Sequence, residues 1–409
     1  MRNRSSALYI SGGSLSMMAD NIEHVLAYWV LWQVFHEPWL VGFQIVSHWL
    51  PFLLFSVYAG ALAERFDCRR LIQISQGLFM FVSVCWGVLF LTGTLELWHA
   101  CVLLVLHGIA GCLWMPAEQM MLYDFVGPAQ LPSAVRLNAT FRSLAFVAGP
   151  AIGSLLLLGI GPGYGMFANV LFYLPLTIFL ARTRFTGHGR EKPREVAERR
   201  VTVISAFSVL AELRGHRTIL AMFMLTALNA LTVAAVMQNT MPEFAEILGA
   251  GSAGLAYGVL LFANGAGGVV GGFLLEATRK VPATAPTAVV SAVLLGAVTV
   301  AFAASGSYLI AVVALFIGGL SKITAESTEM SIVQLEAPRG LRGRVIGAYS
   351  MFAQGMMTFS GVTIALLGAA VGIPQAVVVS GAALCIGALL VAGYLYRPRR
   401  SDGRAASAS

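Results

Sequence analysis

Residues 319–332 read "GLSKITAESTEMSI" inside an otherwise apolar run, so Lys322, Glu326 and Glu329 stand where most neighbours are hydrocarbon. On a helix Lys322 and Glu326 are i,i+4 and Glu329 continues the same face at i+7, a stripe about 10 Å long. A charge at mid-bilayer costs roughly 2.5–3.5 kcal/mol on insertion scales, so three together must do something apolar residues cannot. One reading is a structural ion pair, Lys322 with Glu326, which leaves Glu329 without a local partner. The other is a polar stripe on a water-filled cavity that binds solute or carries protons. A second stripe, "SMMADNIEHVLAYW" (16–29), sets Asp20, Glu23 and His24 at i, i+3 and i+4 in the middle of another apolar run. Histidine titrates nearest neutrality, so this cluster can trade a proton or a cationic group of a substrate. The competing reading makes Asp20 or Glu23 a structural tie to Lys322.

Fewer polar residues mark the other apolar runs. His107 and Glu118 are eleven residues apart, three helical turns, and so share a face with Trp114 and Gln119 nearby. Glu118 lies toward the end of its run, where a role in snorkelling or loop pairing competes with one in the cavity. Gln44 and His48 are i,i+4 and read as packing or interhelical hydrogen bonds. Asn229, Gln238, Asn239, Asn264 and Gln354 are cavity amides or helix–helix glue.

These residues need helices that cross a membrane to hold them. Of 409 residues 58% are hydrophobic and 11% charged, and the mean hydropathy is +0.79, beyond what a soluble domain can solvate. Apolar runs cover 7–34, 39–62, 71–91, 98–123, 134–158, 164–181, 218–242, 251–276, 284–304, 308–334, 344–368 and 373–396. Each is far longer than the ~10 alternating residues of a barrel strand. The prediction is an all-α membrane protein with twelve transmembrane helices in two pseudo-symmetric six-helix bundles. The net charge of +7 is not a nucleic-acid signal, because 25 of the 26 basic residues, Arg136 and Arg142 included, are assigned to one side and only Lys322 to neither. That side is the cytoplasm, with both termini in it. Five cysteines, four of them in apolar runs, suggest packing rather than disulfides. No convincing signal peptide precedes the first run, which reads as span 1.

One long charged connection divides the chain into an amino-terminal bundle (1–181), a cytoplasmic linker (182–217) with an amphipathic stretch near 201–213, a carboxy-terminal bundle (218–396) and a tail (397–409). The halves echo each other. "GALAERFDCRR" (60–70) aligns with "GFLLEATRK" (272–280), and "PAQLPSAVRL" (128–137) with "PRGLRGRVIG" (338–347), at offsets of 212 and 210 residues. Nearly one offset in two loops argues for a duplicated unit, the plan of transporters that rock two bundles about a midplane site.

At Gly60, Glu64, Arg65, Arg69 and Arg70 the chain resembles the loop 2–3 signature of the major facilitator superfamily, with Asp67 where that signature has glycine. "ERFDCRR" (64–70) and "LRGRVIGAYS" (341–350) resemble its branch of macrolide and siderophore exporters, and Gly149, Pro150 and Gly153 in "FVAGPAIGS" resemble the span-5 motif of its antiporters. The likeness covers the whole chain. It implies that spans 1, 4, 7 and 10 line a cavity, that Glu64 and Arg65 belong to a cytoplasmic gate, and that the membrane is a bacterial inner membrane. Many proton-driven members carry an arginine in span 4; here Leu104, His107 and Gly108 occupy the matching stretch.

The expected function is therefore secondary active export of a drug-like compound or siderophore, by alternating access and proton antiport, with no cofactor. Small-molecule solute, protons and the lipid bilayer are the expected partners, nucleic acid is not, and a monomer suffices. Uptake by symport and a non-transporting sensor are the alternatives. An enzyme is disfavoured: the histidines at 24, 36, 48, 99, 107, 188 and 216 hold no pair at metal-ligand spacing, and no metal site is expected.

Overall fold

A computed structural model describes residues 4–189, 202–248, 253–278, 280–338 and 340–397, and all regular structure among them is helical. Span 1 is Arg4–Phe35, span 2 Pro38–Arg65 and span 3 Cys68–Thr92. Leu97–Arg182 is one hydrogen-bonded run of 86 residues, broken where Gly127 (φ 69°) and Gly161 (φ 81°) leave the helical region. Each break is Gly-Pro: glycine takes the left-handed conformation and Pro128 or Pro162 opens the next helix with its φ already set. Spans 4, 5 and 6 thus occupy 97–126, 128–160 and 162–182. The stretch "PAQLPS", expected as a loop, is the first turn and a half of span 5.

Span 7 is Arg217–Asn229 and Ala235–Ile247 joined by a π turn, Ala230–Ala234. Spans 8, 9 and 10 are Ala253–Thr278, Ala285–Ala304 and Tyr308–Glu336. Span 11 is Arg342–Ser350 and Met357–Val371, again with a π turn between, at Met351–Gly355, and span 12 is Ile373–Tyr396. By length and composition, eight helices among the described residues are apolar enough to cross a membrane, the triple run counting as one. Span 1, which carries the Asp20 cluster, and the interrupted span 11 complete the twelve. The amphipathic stretch of the linker forms two short helices, Val203–Ala206 and Ser208–Glu212, with Val209 and Leu213 buried. The rest of the linker from 190 to 201 and the tail beyond 397 lie outside the described residues.

Trp29, Trp32, Trp39 and Trp98 are exposed at the helix ends opposite the basic loops, as in an interfacial aromatic belt. The two halves meet mainly toward the basic end. Span 2 lies on span 11: a Cβ on Gly60 would run into the Gly343 carbonyl, and the Ser56 hydroxyl donates to the Gly347 carbonyl at 2.8 Å. Span 5 lies on span 8, where a Cβ on Gly272 would collide with Thr140 and one on Gly265 with Val147. Small residues let backbones approach where lipid supplies no hydrophobic drive.

The span-5 glycines serve a third contact of this kind. A Cβ on Gly149 would stand 2.5 Å from the Asn21 Cβ and 3.1 Å from the Met18 carbonyl oxygen; Gly153 sits against Ile22 and Val25. Span 1 is thereby held close at the turn that carries Asp20 and Glu23. Gly149→Val should cost about 1–3 kcal/mol through overpacking. Gly159→Val, with nothing within 4 Å of its Cβ, should not. Thermal unfolding in detergent checks this, and equal midpoints for the two variants would mean spans 1 and 5 are not tightly packed.

Candidate functional site

Deep in the amino-terminal bundle, the ring of His107 (span 4) lies between two carboxylates of span 1. Its Nε2 is 2.7 Å from Asp20 Oδ1 and its Nδ1 2.8 Å from Glu23 Oε1. The i,i+3 spacing of the acids matches the two edges of one imidazole, and a ring with N–H on both nitrogens satisfies both acceptors. The second Glu23 oxygen accepts from the Ser83 hydroxyl of span 3, whose oxygen in turn accepts from Asn169 Nδ2 of span 6 at 3.3 Å. Asp20, Glu23, His107 and Asn169 are all buried. The expected alternative, a tie from Asp20 or Glu23 to Lys322, is not formed.

Two more rings complete this cluster. His24 (span 1) and His48 (span 2) have ring centroids 5.0 and 5.3 Å from that of His107 and 4.9 Å from each other. Gly108 admits span 2 to this contact, because a Cβ there would collide with the Ser47 carbonyl and stand 3.1 Å from the His48 carbonyl oxygen. His48 is therefore not only a packing residue. The donor nitrogens of the three histidines lie within 4.8 Å of one another. The expectation of no histidine pair at metal-ligand spacing concerned spacing along the sequence; these three rings come together from three different spans.

In the carboxy-terminal bundle the span-10 stripe is differently held. Lys322 Nζ is 3.9 Å from Glu326 Oε1, and the two side chains are 38% and 42% exposed. Glu329 is buried and accepts from the Tyr349 hydroxyl of span 11 at 3.3 Å, so its partner is non-local. The face toward span 8 is a different one, where Phe316, Gly319 and Leu320 meet Gly267, Asn264 and Gly271.

Glu118 turns away from His107 and pairs with Arg142 Nη1 at 3.0 Å. That overturns the placement of Arg142 at the basic end: it is the fifteenth residue of the 128–160 helix, some 20 Å along it at 1.5 Å per residue. Span 5 thus sets an arginine against a span-4 carboxylate, where span 4 itself has no arginine. The Asn229 Oδ1 and Gln354 Oε1 atoms, beside and within the two π turns, are buried without a hydrogen-bond partner. Asn264 bonds the Leu315 carbonyl at 3.3 Å, as glue between spans 8 and 10. The side chains of Gln238 and Asn239 lie outside the described residues.

Glu64 sits on the first turn of span 11, accepting from the Arg344 backbone N–H at 2.8 Å and from its guanidinium at 2.9 Å. Arg65 and Arg70 are exposed and outside this contact. Asp67 caps span 3 by accepting from the Arg69 backbone N–H at 2.9 Å, and Arg69 Nη1 reaches the Thr183 carbonyl at 2.7 Å. A capping carboxylate explains aspartate where the family signature has glycine.

If His107 holds the carboxylates in place, His107→Leu should destabilise the protein by about 3–5 kcal/mol, since it strands two buried charges. Adding Glu23→Gln should restore part of that loss. Thermal melts of the single and double variants decide it; no loss in the single variant would mean that Asp20 and Glu23 are solvated.

A family model described as transmembrane secretion effector matches residues 7–408. YfiS, an uncharacterized MFS-type transporter of Bacillus subtilis (strain 168), is 26% identical over 185 residues, 42% of this chain and 43% of that protein. The staphyloferrin A transporter of Staphylococcus aureus (strain NCTC 8325 / PS 47) is 25% identical over 150 residues, 36% of this chain and 38% of that one. These alignments span less than half of either relative. The fold matches that of FucP, a major facilitator transporter solved in the outward conformation, with a TM-score of 0.76 at 14% identity over 96% of this chain and 99% of that one. A family match over almost the whole length, on a fold shared with solved carriers, shows that the chain belongs to the transmembrane secretion effectors of the major facilitator superfamily, which are transporters and not enzymes.

Proposed function

We propose that this protein is a secondary active exporter that moves an organic solute, a drug-like compound or siderophore, across a bacterial inner membrane in exchange for protons. One observation carries the reading. The halves are joined toward the basic end, while Lys322 and Glu326 remain accessible on a span-10 face that is not packed on span 8. With the basic loops and both termini in the cytoplasm, this arrangement is an outward-facing carrier whose inner mouth is shut. Solute meets the loosely held Lys322–Glu326 pair, which suits zwitterionic or amphipathic molecules. Protons exchange at Asp20, Glu23 and His107, where loss of either negative charge loosens the grip on the ring. Export is supported by the family's description as secretion effectors. The two bundles alone make the pathway, so a monomer is sufficient.

Purified protein in detergent, given a panel of amphipathic drugs and siderophores, should release protons on binding. Asp20→Asn or Glu23→Gln should abolish the release, and Glu326→Gln should weaken binding itself. Binding by wild type with no proton released would remove antiport and move the energy source elsewhere. For the gate, Glu64→Gln should raise the labelling rate of a single cysteine placed by Ser56→Cys in a cysteine-free background. An unchanged rate would leave Glu64 only a part in setting topology.

A further inference from the structure

We propose that the amino-terminal bundle holds a site for a first-row divalent transition cation of the zinc class, with His24, His48 and His107 as nitrogen ligands and Asp20 as the fourth. Three spans deliver these rings to one point, with their donor nitrogens within 4.8 Å of each other. Ligand nitrogens around a tetrahedral ion stand roughly 3.3 Å apart, given metal–nitrogen bonds of ~2.0–2.1 Å. Closing on an ion requires these separations to shorten by up to about 1.5 Å.

Several further features fit a metal better than packing does. His24 Nε2 and His48 Nδ1 are buried and have no hydrogen-bond partner. Leaving a buried ring nitrogen unpaired is costly, and metal ligation would satisfy both. His107 already has the surroundings of a metal ligand: Glu23 holds one ring nitrogen, Ser83 holds Glu23, and Asn169 holds Ser83. Ligating histidines commonly keep such a carboxylate on the second nitrogen, which orients the ring. Asp20 lies 2.7 Å from the opposite nitrogen, at the ring edge where the ion would sit. A divalent ion would also neutralise Asp20 and Glu23 together, in a place where uncompensated charge is expensive. Imidazole with one carboxylate selects zinc, cobalt, nickel or copper over calcium or magnesium, which prefer all-oxygen sites.

The site also has an approach. A cavity of about 270 Å³ is lined by Tyr28, Trp32, Glu37 and Gln44 among others. Tyr28 is one turn beyond His24, with ring centroids 5.0 Å apart, and Gln44 is one turn before His48. Glu37 is among the lining residues of this cavity, and no cationic side chain is among them.

The test uses full-length protein purified without a polyhistidine tag and stripped with a chelator. Titration with Co2+ should bring up the visible ligand-field bands of a four-coordinate nitrogen–oxygen site at one equivalent, and Zn2+ should bleach them. His24→Asn and His48→Asn should each weaken binding by more than the roughly 10- to 100-fold that loss of an outer-shell partner costs. His188→Asn, at a histidine far from the cluster in the linker, should bind as wild type does. Zn2+ should raise the thermal midpoint of wild type and leave that of His48→Asn unmoved, which keeps the test informative if a variant folds less well. Absence of the bands in wild type, or equal affinity in the His24 and His48 variants, would overturn the site and leave the trio a set of packed rings. Binding is read in detergent with no gradient and no organic solute, so this outcome is independent of direction, cargo and proton coupling.

Discussion

A carboxylate of one bundle placed on the first turns of a helix from the other is the contact on which the arrangement depends. Glu64, at the end of span 2, takes the Arg344 backbone N–H and guanidinium of span 11. Glu276, at the end of span 8, accepts from the Ser133 hydroxyl and lies 3.6 Å from the Arg136 guanidinium near the start of span 5. The acids are 212 residues apart and the arginines 208, so each half presents a similar latch to the other. Each joins an anion to the positive end of a helix and to a cation. Both lie toward the basic ends of their helices, with the four charged side chains only 13–21% exposed.

Behind the latches the halves lie backbone to backbone, and this is where glycine is needed rather than tolerated. Gly60 with Gly343, Gly347 with Ser56 and Gly272 with Thr140 leave no room for a side chain. The same closeness requires that polar groups near the seam be satisfied. Gln334 Nε2 donates to Gln119 at 2.8 Å across the halves, and the Arg342 guanidinium lies 3.6 Å from the ring centroid of Tyr123. By contrast Lys322 and Glu326 are loosely paired and open.

The twelve spans were legible because hydropathy reports the bilayer directly, and the bilayer is the strongest constraint on such a chain. The place of Glu64 followed from helix electrostatics. Arg142 was misplaced because helix 128–160 begins about six residues before its apolar run does: Gly127 and Pro128 end one helix and start the next without a loop, and hydropathy does not register that. His48 was undervalued for another reason. Its partners are 24 residues before it and 59 after it, on two other helices, so no periodicity within a span could relate them. Only the missing side chain of Gly108, beside His107, hinted that something passes close there.

Span 5 connects the buried cluster with the latch. One of its faces, at Gly149 and Gly153, touches the span-1 turn bearing Asp20 and Glu23; another, at Arg136, Thr140 and Val147, touches span 8. The Arg142 side chain, between these levels, ties it to Glu118 of span 4, the helix that also carries His107. Any change in what occupies the His107 cluster, a proton or a cation, alters the fit of span 1 against span 4. Span 5 is packed too closely on span 1 to absorb that change by small side-chain adjustments, since a glycine contact has no side chain to repack. Tight packing at one end of span 5 and a polar contact between the halves at the other put the buried cluster and the seam on one continuous helix.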